Sequence, residues 1–279
     1  MKQYLRELYG SRLILNALVS REIRGKYRRT FLGQLWSFAN PLTQMLVYTF
    51  VFSFVFQVKS MKGDPSGLDS FALYLLCGLI PWTLFYSSVI GAMASPLSNV
   101  NLITKVYFPR MIIPVSSLVA TLYNSGFEFL VLLVALALAG SMFWSLLPVA
   151  IVVIFLLMSF AAGLGLLLSI VNLKFRDTEY LLGIFFQVWM WLSPIIYPIS
   201  LVANRSASLG PIPGTSITLL DVYSFNPIVH FVTAFRNVMY DNRMPSTIDL
   251  GICGLWALIS LLIGFLTFRR MDSRLAEFL

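Results

Sequence analysis

Five stretches of this chain carry no charged side chain: residues 30–58, 70–104, 129–173, 180–204 and 250–268. An apolar segment needs roughly 20 residues to cross the hydrocarbon layer of a membrane, and every one of these reaches or approaches that length. A soluble core cannot hide so much uncharged chain. Charged residues make up only 11% of the sequence and hydrophobic ones 58%, whereas soluble domains carry about 25% charged residues. The chain therefore reads as an all-α membrane protein, and the remaining charges punctuate its spans.

Breaks between the runs predict six spans, at about 35–56, 71–93, 112–139, 146–171, 181–198 and 250–268. Six crossings put both ends on one side. With the N-terminus inside, the inner segments hold 15 Lys and Arg and the outer ones 5. The positive-inside rule then places both termini in the cytoplasm. The first thirty residues carry eight basic side chains and no apolar run, so they are expected to remain as a cytoplasmic amphipathic segment rather than a cleaved signal. Residues 31–279 form a single transmembrane domain in this reading. Cys77 and Cys253 both lie in apolar runs, as free core thiols do. His230 is the only histidine, so no metal site can be built on a histidine cluster. A place on a helix surface near the outer interface is expected for it.

Residues 201–248 do not fit the span count. They are long, mildly apolar and rich in Gly, Pro and Asn. Asn226 and Pro227 read as a helix cap followed by a first-turn proline. Ile228, Phe231, Val232 and Phe235 then share one face, with His230, Thr233 and Arg236 elsewhere. A full crossing here would carry Arg269, Arg270 and Arg274 outside, against the charge rule. A re-entrant helical hairpin in the outer half of the membrane is expected instead, covered by protein or lining a water-filled space.

Four stretches now combine. Residues 24–42 read RGKYRRTFLGQLWSFANPL, residues 99–114 read NVNLITKVYFPRMIIP, and residues 172–177 read NLKFRD, followed by the Ser-Pro-Ile-Ile-Tyr-Pro segment 193–198. The fourth is Asn226-Pro227 with Arg236. Together, in order and over nearly the whole chain, they resemble the permeases of ABC polysaccharide exporters, which move O-antigen, capsule, teichoic acid or galactan chains. The loop 201–224 is longer than is usual for that family. The resemblance implies a homodimer of six-span subunits working with two copies of a separate ATPase, the ATP and Mg residing there. The sequence agrees by omission. Its only Gly-Lys pair, Gly25-Lys26, is followed by Tyr27 and has no glycine five residues upstream, so no P-loop is present. No cofactor on this chain and no nucleic-acid partner are expected.

Each candidate site has a bland alternative. Arg24, Lys26, Arg28 and Arg29 suit the diphosphate of a lipid-linked glycan, or equally anionic lipid headgroups. Lys105, Tyr107, Phe108, Pro109 and Arg110 make an aromatic, proline-ended inner segment; the resemblance implies a coupling element that docks into the ATPase, against simple headgroup anchoring. Glu128 is the one acid inside an apolar run and must face protein or water, or be protonated. It serves either proton coupling or a structural hydrogen bond to another span or to the outer hairpin. Tyr48, Phe52, Phe185 and Trp189 are aromatic faces on which sugar rings could slide, and the resemblance places their spans beside the pathway; lipid-facing packing is the other reading. Asn226, Pro227 and Arg236 would form an outer gate. Two other functions compete: an ABC exporter of drugs or simple lipids, and a membrane-embedded glycosyltransferase. The second needs clustered carboxylates, and the acids here are spread thinly.

Overall fold

The computed structural model describes residues 7, 10–26, 30–31, 33–55, 62–211 and 214–272. Among them the chain is helical throughout, with no strand. In order come α1 (Arg12–Lys26), a 3-10 turn (Gly33–Leu35), α2 (Trp36–Tyr48) running on into π-helical turns (Thr49–Val55), α3 (Phe71–Ser98) and α4 (Val100–Lys105). There follow α5 (Ile112–Leu138), a 3-10 turn (Phe143–Leu146), α6 (Leu147–Lys174), α7 (Thr178–Trp191), α8 (Ile199–Leu209), α9 (Leu219–Ser224), α10 (Pro227–Met239) and α11 (Thr247–Met271).

Among the described residues, four helices are long and apolar enough to cross a membrane: α3, α5, α6 with the turn leading into it, and α11. At about 1.5 Å per residue their 25 to 32 residues exceed the roughly 30 Å of hydrocarbon. Helix α3 is central, buried along most of its length from Phe71 to Pro96. The others turn large apolar side chains outward, among them Leu130 and Val134 of α5, Phe155 of α6 and Leu262 of α11. Such wide apolar surfaces suit lipid and not water.

The predicted spans 35–56 and 181–198 are met by shorter helices, for identifiable reasons. In the first, the Thr49 hydroxyl donates to the carbonyl of Met45 at 2.6 Å, and such back-bonding loosens the helical ladder. The π-helical turns begin at that residue. In the second, Ser193 precedes Pro194, and a residue before proline avoids the α region. Helix α7 therefore stops at Trp191 after 14 residues, about 21 Å.

Helix α11 buries Cys253, Ala257, Ser260, Gly264 and Phe268, one face at helical spacing and mostly small. These residues let α11 lie directly on α6. The backbones of α6 and α11 touch here: a Cβ on Gly264 would overlap the backbone of Gly163, and a Cβ on Gly163 would overlap the backbone of Ser260 and Leu261. The Ser260 hydroxyl donates to the carbonyl of Phe160 at 2.9 Å. Helix α5 ends at a left-handed Gly140, φ 78°, where Ser141 N–H reaches back to the Leu136 carbonyl at 3.0 Å, the expected glycine stop.

Candidate functional site

The loops that follow the spans gather at the two ends of the bundle. One end holds residues 62–70, 140–146 and 193–246, tied by Ser66 N–H to the Asp241 carbonyl at 3.0 Å and by the Ser141 hydroxyl to Asn242 at 3.1 Å. Here α9 begins at a capping box in which Thr218 and Asp221 exchange hydrogen bonds. Those bonds hold the exposed Asp221 carboxyl below its usual range. Helix α10 then starts at Asn226, whose side chain accepts from Ile228 N–H at 3.0 Å, with Pro227 in the first turn.

Asn226 does more than cap. Its amide oxygen also accepts from the Trp189 indole N–H at 2.9 Å, and its amide nitrogen donates to the Leu192 carbonyl at 3.2 Å and the Ser193 hydroxyl at 3.0 Å. The last carbonyls of a helix have no partners of their own. Those of α7 are met within its own C-terminal turn, Trp189 and Met190 by Ser193 and Trp191 by the Tyr197 hydroxyl. The carbonyls of the turn that follows are met from Asn226 and α10: Leu192 by Asn226, and Pro194 and Ile195 by the Arg236 guanidinium. Arg236 further donates to the Tyr74 carbonyl at 3.3 Å and the Tyr74 hydroxyl at 2.9 Å, and lies 3.9 Å over that ring. No carboxylate pairs with it among the described residues. A buried cation is tolerable only when its hydrogen bonds are met, and here three carbonyls, a hydroxyl and a π face meet them. Gly78 makes room, since a Cβ there would strike the guanidinium. A cleft of about 240 Å³ opens beside Arg236, with Lys62, Asp64, Asp241 and Arg243 among its walls.

His230 does not lie on a surface. It is buried, with Nδ1 2.7 Å from Asp249 and Nε2 2.7 Å from the Ser224 carbonyl. Both partners accept, so the ring serves both only as the imidazolium. The sequence reading failed because α10 has almost no open face: Phe231 stacks on Phe160 of α6 and Phe235 packs on Phe129 of α5, while Arg236 meets α3 and the turn after α7 and His230 meets α11.

Of the predicted aromatics, Phe185 points outward at 52% exposed. Tyr48 is partly buried against the core, and Phe52's side chain lies outside the described residues. Trp189 belongs to a cluster with Trp82, Phe85 and Phe186, its ring 5.5–6.3 Å from theirs. Glu128 accepts from Thr83 of α3 at 3.1 Å, which is the structural hydrogen bond of the two readings. Glu128→Gln keeps an acceptor for Thr83, so it should change stability by less than about 1 kcal/mol and leave transport intact. Transport lost at unchanged expression would return the residue to proton coupling.

At the opposite end α1 lies against α5. Leu18 is buried with Ile103, Phe108, Ile112 and Ile113, and Ile14 and Leu15 pack beside it, while Arg24 and Lys26 are exposed. Arg28 and Arg29 lie outside the described residues. The 105–110 segment splits in two. Tyr107 is 98% exposed and Lys105 is exposed as well, whereas Phe108, 6% exposed, anchors the loop beneath α1. Pro109 is half-buried, and Arg110 donates to the carbonyl of Asp272 at the end of α11. Sequence reasoning missed Tyr74, Gly78, Trp82 and Asp249, which look like ordinary members of apolar runs or helix caps.

Comparison with known proteins places this geometry. The family described as ABC-2 type transporter matches residues 15–240. The chain is 30% identical over 279 residues to the O-antigen export system permease protein RfbA of Myxococcus xanthus, covering 100% of this chain and 98% of that one. It is 25% identical over 275 residues to RfbA of Klebsiella pneumoniae, covering 95% of each. It is 24% identical over 279 residues to the polysialic acid transport protein KpsM of Escherichia coli, covering 94% and 95%.

Proposed function

The chain belongs to the ABC-2 type transporter family, and from that premise we propose that it is the membrane permease subunit of an ABC exporter that carries a polysaccharide across the inner membrane. The observation that carries this reading is the end-to-end similarity to an O-antigen export permease, 100% of one chain on 98% of the other. Relatives named for O-antigen, polysialic acid and capsule favour a long glycan over a drug or simple lipid. O-antigen or capsule chains fit those names better than galactan or teichoic acid. The test is genetic and direct. Without this chain, lipid-linked glycan should accumulate inside the cell, and restoring it should return glycan to the surface. Normal surface glycan in its absence would refute the assignment.

In this reading ATP and Mg act on a separate subunit, two copies of which serve a homodimer of this chain. Residues 1–30 lie along the cytoplasmic surface and 31–279 form one domain with both termini inside. Helix α2 with its π-helical extension is the first span, and α7 with the 192–198 turn is the fifth. The α9–α10 pair is the re-entrant hairpin, and Asn226, Pro227 and Arg236 gate the outer end. Supporting this, Asn226 and Arg236 supply hydrogen bonds to the carbonyls of the 192–195 turn that follows α7. The exposed Phe185 and the outer face of α2 are where a second copy would enclose the glycan. Tags near Ser206 and at the C-terminus should fall on opposite sides of the membrane; the same side for both would overturn the six-span count.

Tyr107, standing clear of the fold, is the docking contact for the ATPase, with Lys105 beside it. Tyr107→Ala should leave the protein inserted and thermally unchanged, since an exposed side chain contributes within about 0.5 kcal/mol. Co-purification with the ATPase should fall severalfold. Phe108→Ala should instead destabilise the chain by about 3 kcal/mol or more, as core Phe truncations do. Equal ATPase capture by wild type and Tyr107→Ala would move docking elsewhere.

A further inference from the structure

A cavity of about 560 Å³ lies between α1, α3 and α5, walled by Glu22 and Lys26, Tyr86 and Ser87, and Thr121 and Asn124. Gly25, Gly91 and Ala120 leave its volume open. We propose that it binds the headgroup of a zwitterionic membrane lipid in which a primary ammonium is joined to a phosphate.

The first ground is Asn124. It is 8% exposed, and its amide nitrogen donates to the Ala120 carbonyl at 2.8 Å, while its amide oxygen has no partner. A buried acceptor left unmet is costly, and since Asn124 forms part of the cavity wall, a turn of its amide would let a bound donor satisfy it. The second ground is the charge balance. Glu22 and Lys26 stand one turn apart on α1, where i and i+4 side chains face the same way. Arg21 is turned away to Asn99. Glu22 is held by the Ser116 hydroxyl at 3.4 Å. Burial raises its carboxyl above the usual range, which Arg21, Ser116 and Ser117 only partly offset. Lys26 is also within electrostatic reach of Glu128. The cavity wall thus carries one acid, Glu22, and one base, Lys26, a poor host for a diphosphate and a good one for a ligand that brings a charge for each.

A primary ammonium has three N–H groups, enough for Glu22, the Asn124 oxygen and a hydroxyl of Ser87 or Thr121, with Tyr86 beside it as a cation–π face. Its phosphate would meet Lys26. A choline head brings the charge but no N–H for Asn124, and a glycerol head brings hydroxyls but no cation for Glu22. Exposed Val119, Leu122 and Tyr123 on the same stretch of α5 offer the acyl chains a wall. The inference holds whatever cargo the protein exports.

The test is native mass spectrometry of the full-length purified chain titrated with phosphatidylethanolamine, phosphatidylcholine and phosphatidylglycerol. Ethanolamine lipid should be retained roughly tenfold more strongly than the other two. The near-isosteric Asn124→Leu and Glu22→Gln should each remove most of that preference, while Lys26→Gln weakens ethanolamine and choline lipids alike. Equal retention of all three lipids, a preference for phosphatidylglycerol, or an unchanged preference in both Asn124→Leu and Glu22→Gln would overturn the proposal.

Discussion

Arg236→Met is expected to abolish export and to lower the thermal midpoint of the purified protein by roughly 10 °C. Methionine fills much of the same volume but donates nothing. It would strand the carbonyls of Tyr74, Pro194 and Ile195, which the guanidinium now serves. An unmet buried acceptor costs about 1–3 kcal/mol. Water entering from the cleft beside Arg236 should hold the total near the low end of the sum, about 3 kcal/mol. For a chain of this size each kcal/mol moves the midpoint by about 2–4 °C. Export should suffer more than stability, because the same contacts fix α10 to α3 and to the turn after α7. Arg236→Lys separates charge from geometry. A single ammonium cannot span α3 and the 194–195 turn as a fork of N–H groups does, so lysine should recover only a minor part of export. Surface glycan and a thermal melt in detergent read both effects. Wild-type export by Arg236→Met would show that the guanidinium does not fix the hairpin.

Much of this architecture was legible in the sequence because lipid imposes a crude rule on it. Long apolar runs became α3, α5, α6 and α11, with Glu128 the one charge inside α5, and the cap at Asn226-Pro227 stands where local chemistry placed it. The two shorter helices were less legible, because Thr49 and Pro194 act through the backbone and do not alter the apolar pattern. Tertiary partners were not legible at all. His230 reads as a lone polar residue until α11 brings Asp249 against it from 19 residues away. Trp189 reads as one aromatic among many, yet its indole N–H is committed to Asn226. Arg236 was singled out as a gate residue, but Tyr74, which accepts half of its hydrogen bonds, is masked by the apolar run around it. Phe108 and Tyr107 are neighbours of similar type, and only packing shows that one anchors the loop while the other faces out.

The same limit applies to Gly163 and Gly264, which in the sequence are merely two glycines inside spans. Gly163→Leu or Gly264→Leu should leave almost no folded protein, below roughly a tenth of the wild-type level in detergent-soluble, monodisperse form. Helices in lipid gain little from burying apolar side chains against each other, because lipid tails are equally apolar. Their association rests on close packing and interhelical hydrogen bonds, and α6 and α11 use both. Their backbones touch at this glycine pair, and Ser260 donates to the Phe160 carbonyl one turn away. A leucine at either position must push the helices apart, which breaks that hydrogen bond. The displacement would also reach both ends of α11. At one end Asp249 holds His230 of the hairpin, and at the other the carbonyl of Asp272 receives Arg110 from the segment next to Tyr107. One crossing therefore supports both the α9–α10 pair and the loop proposed to dock the ATPase. Gly254→Leu on the same helix is the control, because a Cβ there meets nothing within 4 Å. It should express normally. Normal levels and export from Gly163→Leu would mean that α6 and α11 do not meet backbone to backbone, and the support they give to both ends would have to come from elsewhere.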